Sequence, residues 1–555
     1  MIKYCFAAVN IDFLSVWVNL KLFMANTYNI YKVQPKKLAL LKDKIEKVGL
    51  VEQKTIKSGG FNLTFYFSEG APGNKVWWWQ TYSDFFKEGT KEPINFFYFG
   101  MLLCVDTKNP EVVYVVSLGK SHFYLSKFIQ PDFGIALAIR MANENAILLK
   151  KSRYFAGIKR QDVASYENFQ VNNYEPGESV EHLKVKASDT KIWGDRNIIF
   201  ADSIQMDVDK SPADIVEILE LISTSVEGKE VIQLPKLEKV EEDLAKELDG
   251  LLFKSLKNAE GKVKVDEFVT YGVAICFTFR DYGYRLSAKL DGDGQIVRMK
   301  VGNSLDIGSI RDFLIQNPKI VDIDTVRVQF SNDEISSFTK PLKELLDLPV
   351  DHAKSHYFLR NGDWYKFNQT FMDYLKRSLE SIETIPAVEL DEADFRSWEA
   401  EKKRAIAAGE DVDDKLTYRE SYFNKKVCDE LGYTLLDRQL EKIQSLQKGK
   451  KNYKVEVADL YKDGEIVSVK ISEANHELIY NIEQSKDSVE LIMRKKIEFK
   501  DELKTAALWF VFEDKIKKIT DFNSIQFLLA IESWRKLVAN FNLTPRIYVS
   551  HHKLP

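Results

Sequence analysis

Cysteine is scarce and scattered. The 555 residues hold four, Cys5, Cys104, Cys276 and Cys428, and no two form a CxxC pair. That spacing excludes a disulfide framework and a thiolate zinc site, and it suits a reducing cytoplasm. Histidine is nearly as sparse, with seven in all and no HExxH. The adjacent pair His551-His552 lies at the extreme C-terminus, where exposure to solvent is the ordinary expectation and metal ligation the exception. Neither sign of charge dominates: the net charge is -4, so a hold on any polyanion must come from local patches. The longest apolar stretch, Cys5 to Met24, is broken by Asn10, Asp12, Asn19 and Lys21. It falls short of the roughly 20 apolar residues that a spanning helix needs, and it lacks the basic start and small-residue cleavage site of a signal peptide. No integral membrane association is expected. GxxxxGK[ST] and a strand-anchored GxGxxG are both missing, which removes the common nucleotide loops. There is no internal repeat and no low-complexity tract.

What remains is the composition of folded, strand-rich domains. Hydrophobic residues make up 45% and aromatic residues 12%, too much to leave the chain disordered. The length predicts roughly three or four domains. Residues 1–25 read as a leader outside the native protein, with translation starting at Met24; a membrane-peripheral anchor is the alternative. Residues 26–235 mix strands and helices. They include a helix over Lys36–Val48, a strand over Phe61–Phe67 and a buried helix over Asp132–Asn143. The run Trp77-Trp78-Trp79 fits a core or a domain seam better than a base-stacking platform. Lys150-Lys151-Ser152-Arg153 is a basic patch that reads first as solvated surface. Residues 236–387 begin with a charged connector helix and continue as a strand-rich α+β domain, with a hairpin turning at Asn361-Gly362. The strongly charged stretch over about 388–415, with little apolar periodicity, reads as a domain boundary.

Residues 388–555 carry the chemistry. The predicted order is a helix over about Tyr418–Leu431, strands over Tyr433–Leu440, Tyr453–Tyr461 and Glu465–Ser472, a helix over about His476–Ile492, a strand over Ala506–Phe512, a helix over Ser524–Phe541 and a strand over Arg546–Ser550. The second and third strands form a hairpin through Lys462-Asp463-Gly464. Two residues in it are unexplained by strand formation: Asp459 and Lys470 both interrupt apolar runs, and a lone buried carboxylate is costly unless paired or metal-bound. Phosphodiester hydrolysis gives both a use. A carboxylate holds a divalent cation, and a neighbouring lysine orients water or stabilises the pentavalent phosphorus. Glu420 on the preceding helix and Gln484 on the following helix are candidates for the same pocket. Glu456 and Asp437 are further candidate metal ligands, and Lys450, Lys451 and Lys454 are candidate contacts to a phosphate backbone. The bland alternative is a cross-strand Asp459–Lys470 salt bridge.

This arrangement resembles the PD-(D/E)XK nuclease superfamily, which implies a C-terminal αβββαβ restriction-endonuclease-like core within an α+β / α/β multidomain chain. The resemblance assigns Asp459 the first acid, Lys470 the lysine and Gln484 a helical glutamine, with Mg²⁺ or Mn²⁺ as cofactor. Ser468 departs from it, because an Asp or Glu is usual there and a hydroxyl is a poor ligand for a hard cation. The order of features also resembles a family of sporadically distributed, uncharacterised bacterial proteins found near restriction and phage-defence genes. The stretches that carry this are Tyr28–Val33, Asp132-Phe133-Gly134, Gly362-Asp363-Trp364-Tyr365, Leu436-Asp437-Arg438, Val455–Leu460 and Val469-Lys470. The two resemblances together imply a cytoplasmic, metal-dependent nuclease of an anti-phage defence or mobile-element system. Its partners would be DNA or RNA and a phage or defence-system protein. The competing readings are a catalytically degenerate binding module and a sensor that docks a phage protein through its aromatic N-terminal region.

Overall fold

A computed structural model describes residues 26–69, 73–76, 78–156, 160–257, 269–270, 283–290, 294–302, 305, 307–332, 336–412, 415–436, 440–443, 453–456, 458–496 and 502–555. The chain is a mixed α+β protein in two compact units. One comprises the chain up to Arg153 with Gln161–Tyr174 and Val180–Leu234. The other comprises Tyr154–Arg160, Glu175–Ser179 and Pro235–Pro555.

The first unit is built on a ten-stranded sheet. Its spatial order is Val51–Ser58, Phe61–Phe67, Gly100–Asp106, Val113–Leu118, Asn26–Lys32, Ile204–Val208, Asn197–Phe200, Glu178–Ala187, Ala142–Tyr154 and Arg160–Ser165. Val113–Leu118 lies inside the sheet and is an unbroken apolar run up to Ser117, all of it buried. Val51–Ser58 forms an edge, is exposed along almost its whole length, and carries Lys54 and Lys57, the charge that discourages pairing with a second chain. The helix Phe133–Met141 is buried on nearly every side. Its second residue is Gly134, where an added Cβ would lie 2.2 Å from the Ser203 carbonyl oxygen. In the tryptophan run Trp78 is 41% exposed, Trp79 is half-buried, and Trp77 lies outside the described residues. Trp78 and Trp79 gather on Phe86 at 6.4 and 3.8 Å between ring centroids. The short 3₁₀ helix that follows them, Gln80–Phe85, has no buried residue, and its Tyr82 meets Trp78 edge-on at 6.2 Å.

In the second unit the strand Leu237–Lys239 leads into the helix Glu242–Lys257. Its Leu248, Leu252 and Leu256 recur every four residues and are fully buried, as the helical period requires. They share a core with Ile310, Phe313 and Leu314 of Ile307–Gln316 and with a four-stranded antiparallel sheet. A five-stranded sheet follows, and its hairpin Ser355–Arg360/Asp363–Phe367 turns on Asn361 and Gly362, both at positive φ.

The last sheet positions the candidate site. Its elements are β1 (Glu383–Pro386), α1 (Glu392–Ala408), α2 (Arg419–Leu431), β2 (Thr434–Leu435), β3 (Leu460–Lys462), β4 (Glu465–Ile471), α3 (Asn475–Met493), β5 (Thr505–Phe512), α4 (Ile525–Asn540) and β6 (Thr544–Lys553). The strand order is β1-β6-β5-β4-β3-β2, with Leu390–Asp391 also paired to β6. From β1 to β4 neighbouring strands are parallel, and from β4 to β2 they are antiparallel. β4 is therefore where the two kinds of pairing meet. One face buries Ile466, Leu508, Phe510 and Ile547 beneath α3 and α4; the other buries Val467, Val469, Trp509 and Val511 beneath α1 and α2. Each large apolar side chain sealed in this way contributes about 1.5–3 kcal/mol. The stretch expected to be a boundary instead contains α1, whose Glu392 and Phe395 are buried. The strand expected over Tyr453–Tyr461 is divided. Tyr453–Glu456 pairs with Leu440–Ile443 in a separate ribbon, and β3 pairs with β2.

Candidate active site

The turn between β3 and β4 fixes the register of the hairpin. Asp463 and Gly464 both take positive φ, 48° and 87°, the requirement of a tight two-residue hairpin. This sets Leu460 opposite Val467. One residue before β3 the chain bends at Asp459. Its N–H still donates to the Val467 carbonyl at 3.0 Å, and its own carbonyl accepts from Leu436 N–H at 2.8 Å. Its side chain turns inward, where Oδ2 accepts the Val469 N–H at 2.6 Å. Asp459 therefore stands at the mouth of the strand, with its carboxylate orientation fixed by the main chain of β4.

Lys470 is the next-to-last residue of β4, on the face of Ile466 and Ser468. Its Nζ pairs with Glu420 Oε1 at 2.8 Å, and the same oxygen accepts from Ile471 N–H at 3.4 Å. The salt bridge expected as the bland alternative, Asp459 to Lys470, gives way to this one from α2. Glu420 lies in the first turn of α2. The preceding residue, Arg419, makes two hydrogen bonds to Glu392, at 2.8 and 2.7 Å, and His552 Nε2 donates to the same carboxylate at 2.9 Å. Arg419 holds the Glu392 carboxyl down at about 2, against the adverse effect of burial, and His552 adds to the effect. On α3, Tyr480, Gln484 and Ser488 succeed one another at four-residue intervals, with Asn481 beside them, so they share a helix face.

These pieces enclose a cleft of about 310 Å³ at the C-terminal end of β4. Asp459, Lys470, Glu420 and Gln484 all line it, together with Ser468. A second cleft, of about 270 Å³, lies beyond the Lys470–Glu420 pair and includes Glu473, Glu513 and His552. Strand ends where a sheet changes its pairing are natural ligand sites, since side chains there lack a covering neighbour.

A family model described as a family of unknown function (DUF6119) matches residues 28–537. The chain belongs to that family. No curated protein and no solved structure matches it. The DUF6119 match takes in every residue of the first cleft.

The cleft of this DUF6119 member offers a small donor set for a hard cation. Among the described residues, Asp459 and Glu420 are its carboxylates, and no group of three or more His, Cys, Asp or Glu side chains is arranged to hold a metal. Mg²⁺ commonly takes one or two carboxylates and keeps water and substrate phosphate for the rest. Asp459 and Glu420 are two such groups, and Ser468, buried in the lining, adds a hydroxyl. Of the other expected ligands and contacts, Asp437, Lys450 and Lys451 lie outside the described residues. Glu456 and Lys454 sit on the ribbon strand Tyr453–Glu456, and only their backbone is described. Among the described residues no helix is long and apolar enough to cross a membrane.

Sequence reading missed Tyr418, Tyr480, Asn481 and Ser488 as cleft residues. The four-residue spacing of Tyr480, Gln484 and Ser488 was a usable signal. The Glu392–Arg419–His552 cluster gave none, because its members are scattered over 161 positions of the chain.

Proposed function

We propose that the C-terminal region is a PD-(D/E)XK-type nuclease domain that hydrolyses phosphodiester bonds of DNA or RNA, in a setting of phage defence. The supporting observation is that Asp459 from the bend before β3, Lys470 from β4, Glu420 from α2 and Gln484 from α3 line one cleft. The order α2-β2-β3-β4-α3-β5 in a mixed sheet, with the ribbon Leu440–Ile443/Tyr453–Glu456 inserted between β2 and β3, supports the reading. The defence setting, and a phage or defence-system protein as partner, rest on the resemblance of the feature order alone.

In this reading a phosphate enters beside Lys470. The ammonium offsets the charge that builds on the phosphorus oxygens during attack, an effect that costs nothing extra if the donor is already aimed. Glu420 holds that ammonium in place, and the Val469 N–H holds the Asp459 carboxylate. Gln484 donates and accepts at the substrate from the α3 side. Asp459 and Glu420 would hold a Mg²⁺ or Mn²⁺ ion, which when bound supplies charge neutralisation and a more acidic water. Hydrolysis adds hydroxide to phosphorus and delivers a proton to the departing sugar oxygen.

The test is incubation of the purified protein with labelled DNA and RNA in Mg²⁺ or Mn²⁺. Cleavage is expected, reduced about 100-fold or more in folded Asp459→Ala and Lys470→Ala proteins. No cleavage of any nucleic acid with either metal overturns the proposal. Ser468 favours one second reading, a domain that retains the cleft and binds nucleic acid without cutting it. That reading predicts salt-dependent binding by wild-type protein and no products.

A further inference from the structure

The first cleft carries two aromatic side chains that phosphate chemistry does not use. Tyr480 of α3 is 47% exposed, and Tyr418, the residue that caps α2, is 36% exposed; both line the cleft. Between them the lining is amide and hydroxyl: Asn481, Gln484, Ser468 and Ser488. Lys470 is the one cation among the described lining residues. A surface that grips duplex backbone needs several phosphate-neutralising side chains. Among the described residues this cleft has one, and their remaining polarity is uncharged apart from the two carboxylates, matched to donors and acceptors rather than to phosphate.

We infer that this cleft takes an unpaired nucleotide of a single-stranded polynucleotide, with a base stacked on Tyr480 or Tyr418 and its edge met by Gln484; the inference rests on the nuclease reading above. Aromatic faces are the usual platform for single-stranded bases, and they are sequence-tolerant because every base has a π-face. In a duplex those faces are already occupied by neighbouring bases, and an enzyme must extrude a nucleotide before it can stack on one. The cleft volume, about 310 Å³, accommodates one nucleotide-sized group and not a duplex cross-section. The amide of Gln484 can both donate and accept, as a Watson–Crick edge requires. Single-stranded DNA and single-stranded RNA share this chemistry.

The experiment is fluorescence anisotropy of full-length Asp459→Asn protein with a labelled DNA strand, an RNA strand of the same sequence, and the matching DNA duplex. One or both single strands are expected to bind at least about tenfold tighter than the duplex. Tyr480→Ala and Tyr418→Ala should each weaken single-strand binding by roughly 5- to 100-fold, and Tyr480→Phe should restore it. Tyr480→Trp provides a readout that does not depend on truncation: its indole emission should be quenched when the strand is added. Duplex binding as tight as single-strand binding, undiminished binding in both alanine proteins, or no binding to any strand overturns the inference. Single-strand binding without cleavage by wild-type protein would contradict the nuclease proposal and leave this inference standing. Duplex cleavage unaffected by the tyrosine changes would do the reverse.

Discussion

Lys470 keeps its place because Glu420 keeps its own, and Glu420 is held through its neighbour. Arg419 is clamped by Glu392, a carboxylate only 5% exposed that also meets Arg396 at 2.9 Å and His552. Bidentate pairing of this kind is stronger than a single contact and fixes orientation as well as distance. The Glu392 carboxyl sits at about 2, below its ordinary 4.5. A carboxylate whose folded value is depressed stabilises the fold above its unfolded value and loses that contribution as pH falls through the folded one. The window here is therefore about pH 4.5 down to about 2. Urea titrations of wild-type and Glu392→Gln proteins should show a clear stability gap at neutral pH that narrows through this window. A gap that stays constant down to the bottom of that window contradicts the assignment. Removing one partner of a buried pair leaves the other uncompensated, so the variant should also loosen the first turn of α2.

Elements in this chain are held at their ends. The N-terminus of α4 is capped from a distant strand: Ile525 N–H donates to both oxygens of Asp351, at 3.0 and 3.2 Å, and Asp351 Oδ1 also accepts from His356 at 2.7 Å. An anion at a helix N-terminus satisfies an orphan donor and opposes the helix dipole. Asp351→Ala should destabilise by about 1–2 kcal/mol in denaturant titration, and an unchanged midpoint would show the cap to be idle. In the first unit, a Cβ on Gly134 would meet main-chain atoms of Ala201 and Ser203 at 2.2–2.7 Å, and backbone cannot swing aside as a side chain can. Gly134→Ala should therefore cost about 1–3 kcal/mol, read as a lower melting temperature; wild-type stability would contradict the packing described. Such contacts are illegible in sequence, but the elements themselves were largely legible. Phe61–Phe67, Tyr284–Lys289 and the helix from Gln369 follow their apolar periods closely, and α2, β4, α3, β5 and α4 differ from expectation only at their ends. The helix α1 was not legible, because its apolar face is short. Phe395 and Trp398 pack on Tyr422 at 5.8 and 5.3 Å, while Arg396–Glu399 and Glu399–Lys403 hold the outer face as pairs one turn apart. Charge pairs at that spacing support a helix without leaving an apolar pattern to read. The division of the strand before Asp459 was hidden for another reason: a change of pairing partner leaves composition and alternation unaltered. At the site, Asp459 and Lys470 stood out as charges in apolar runs. The tyrosines did not, since an aromatic in a helix normally signals a core.

At the scale of the molecule, the net charge of -4 leaves no general attraction for polyanions, so engagement of nucleic acid has to be local. Among the described residues the cleft beside β4 offers one ammonium, two carboxylates, and amides, hydroxyls and aromatic rings. The family match extends over both compact units, so the test belongs on the whole chain and not on the last sheet alone. The direct measurement is the rate of strand scission by full-length protein, wild-type against Lys470→Met, on labelled polynucleotide with Mg²⁺ or Mn²⁺ and again after chelation by EDTA. Products are expected from wild-type protein only when metal is present, with a loss of about 100-fold or more in the methionine variant. Intact substrate under every condition, or equal rates from the two proteins, contradicts the nuclease reading.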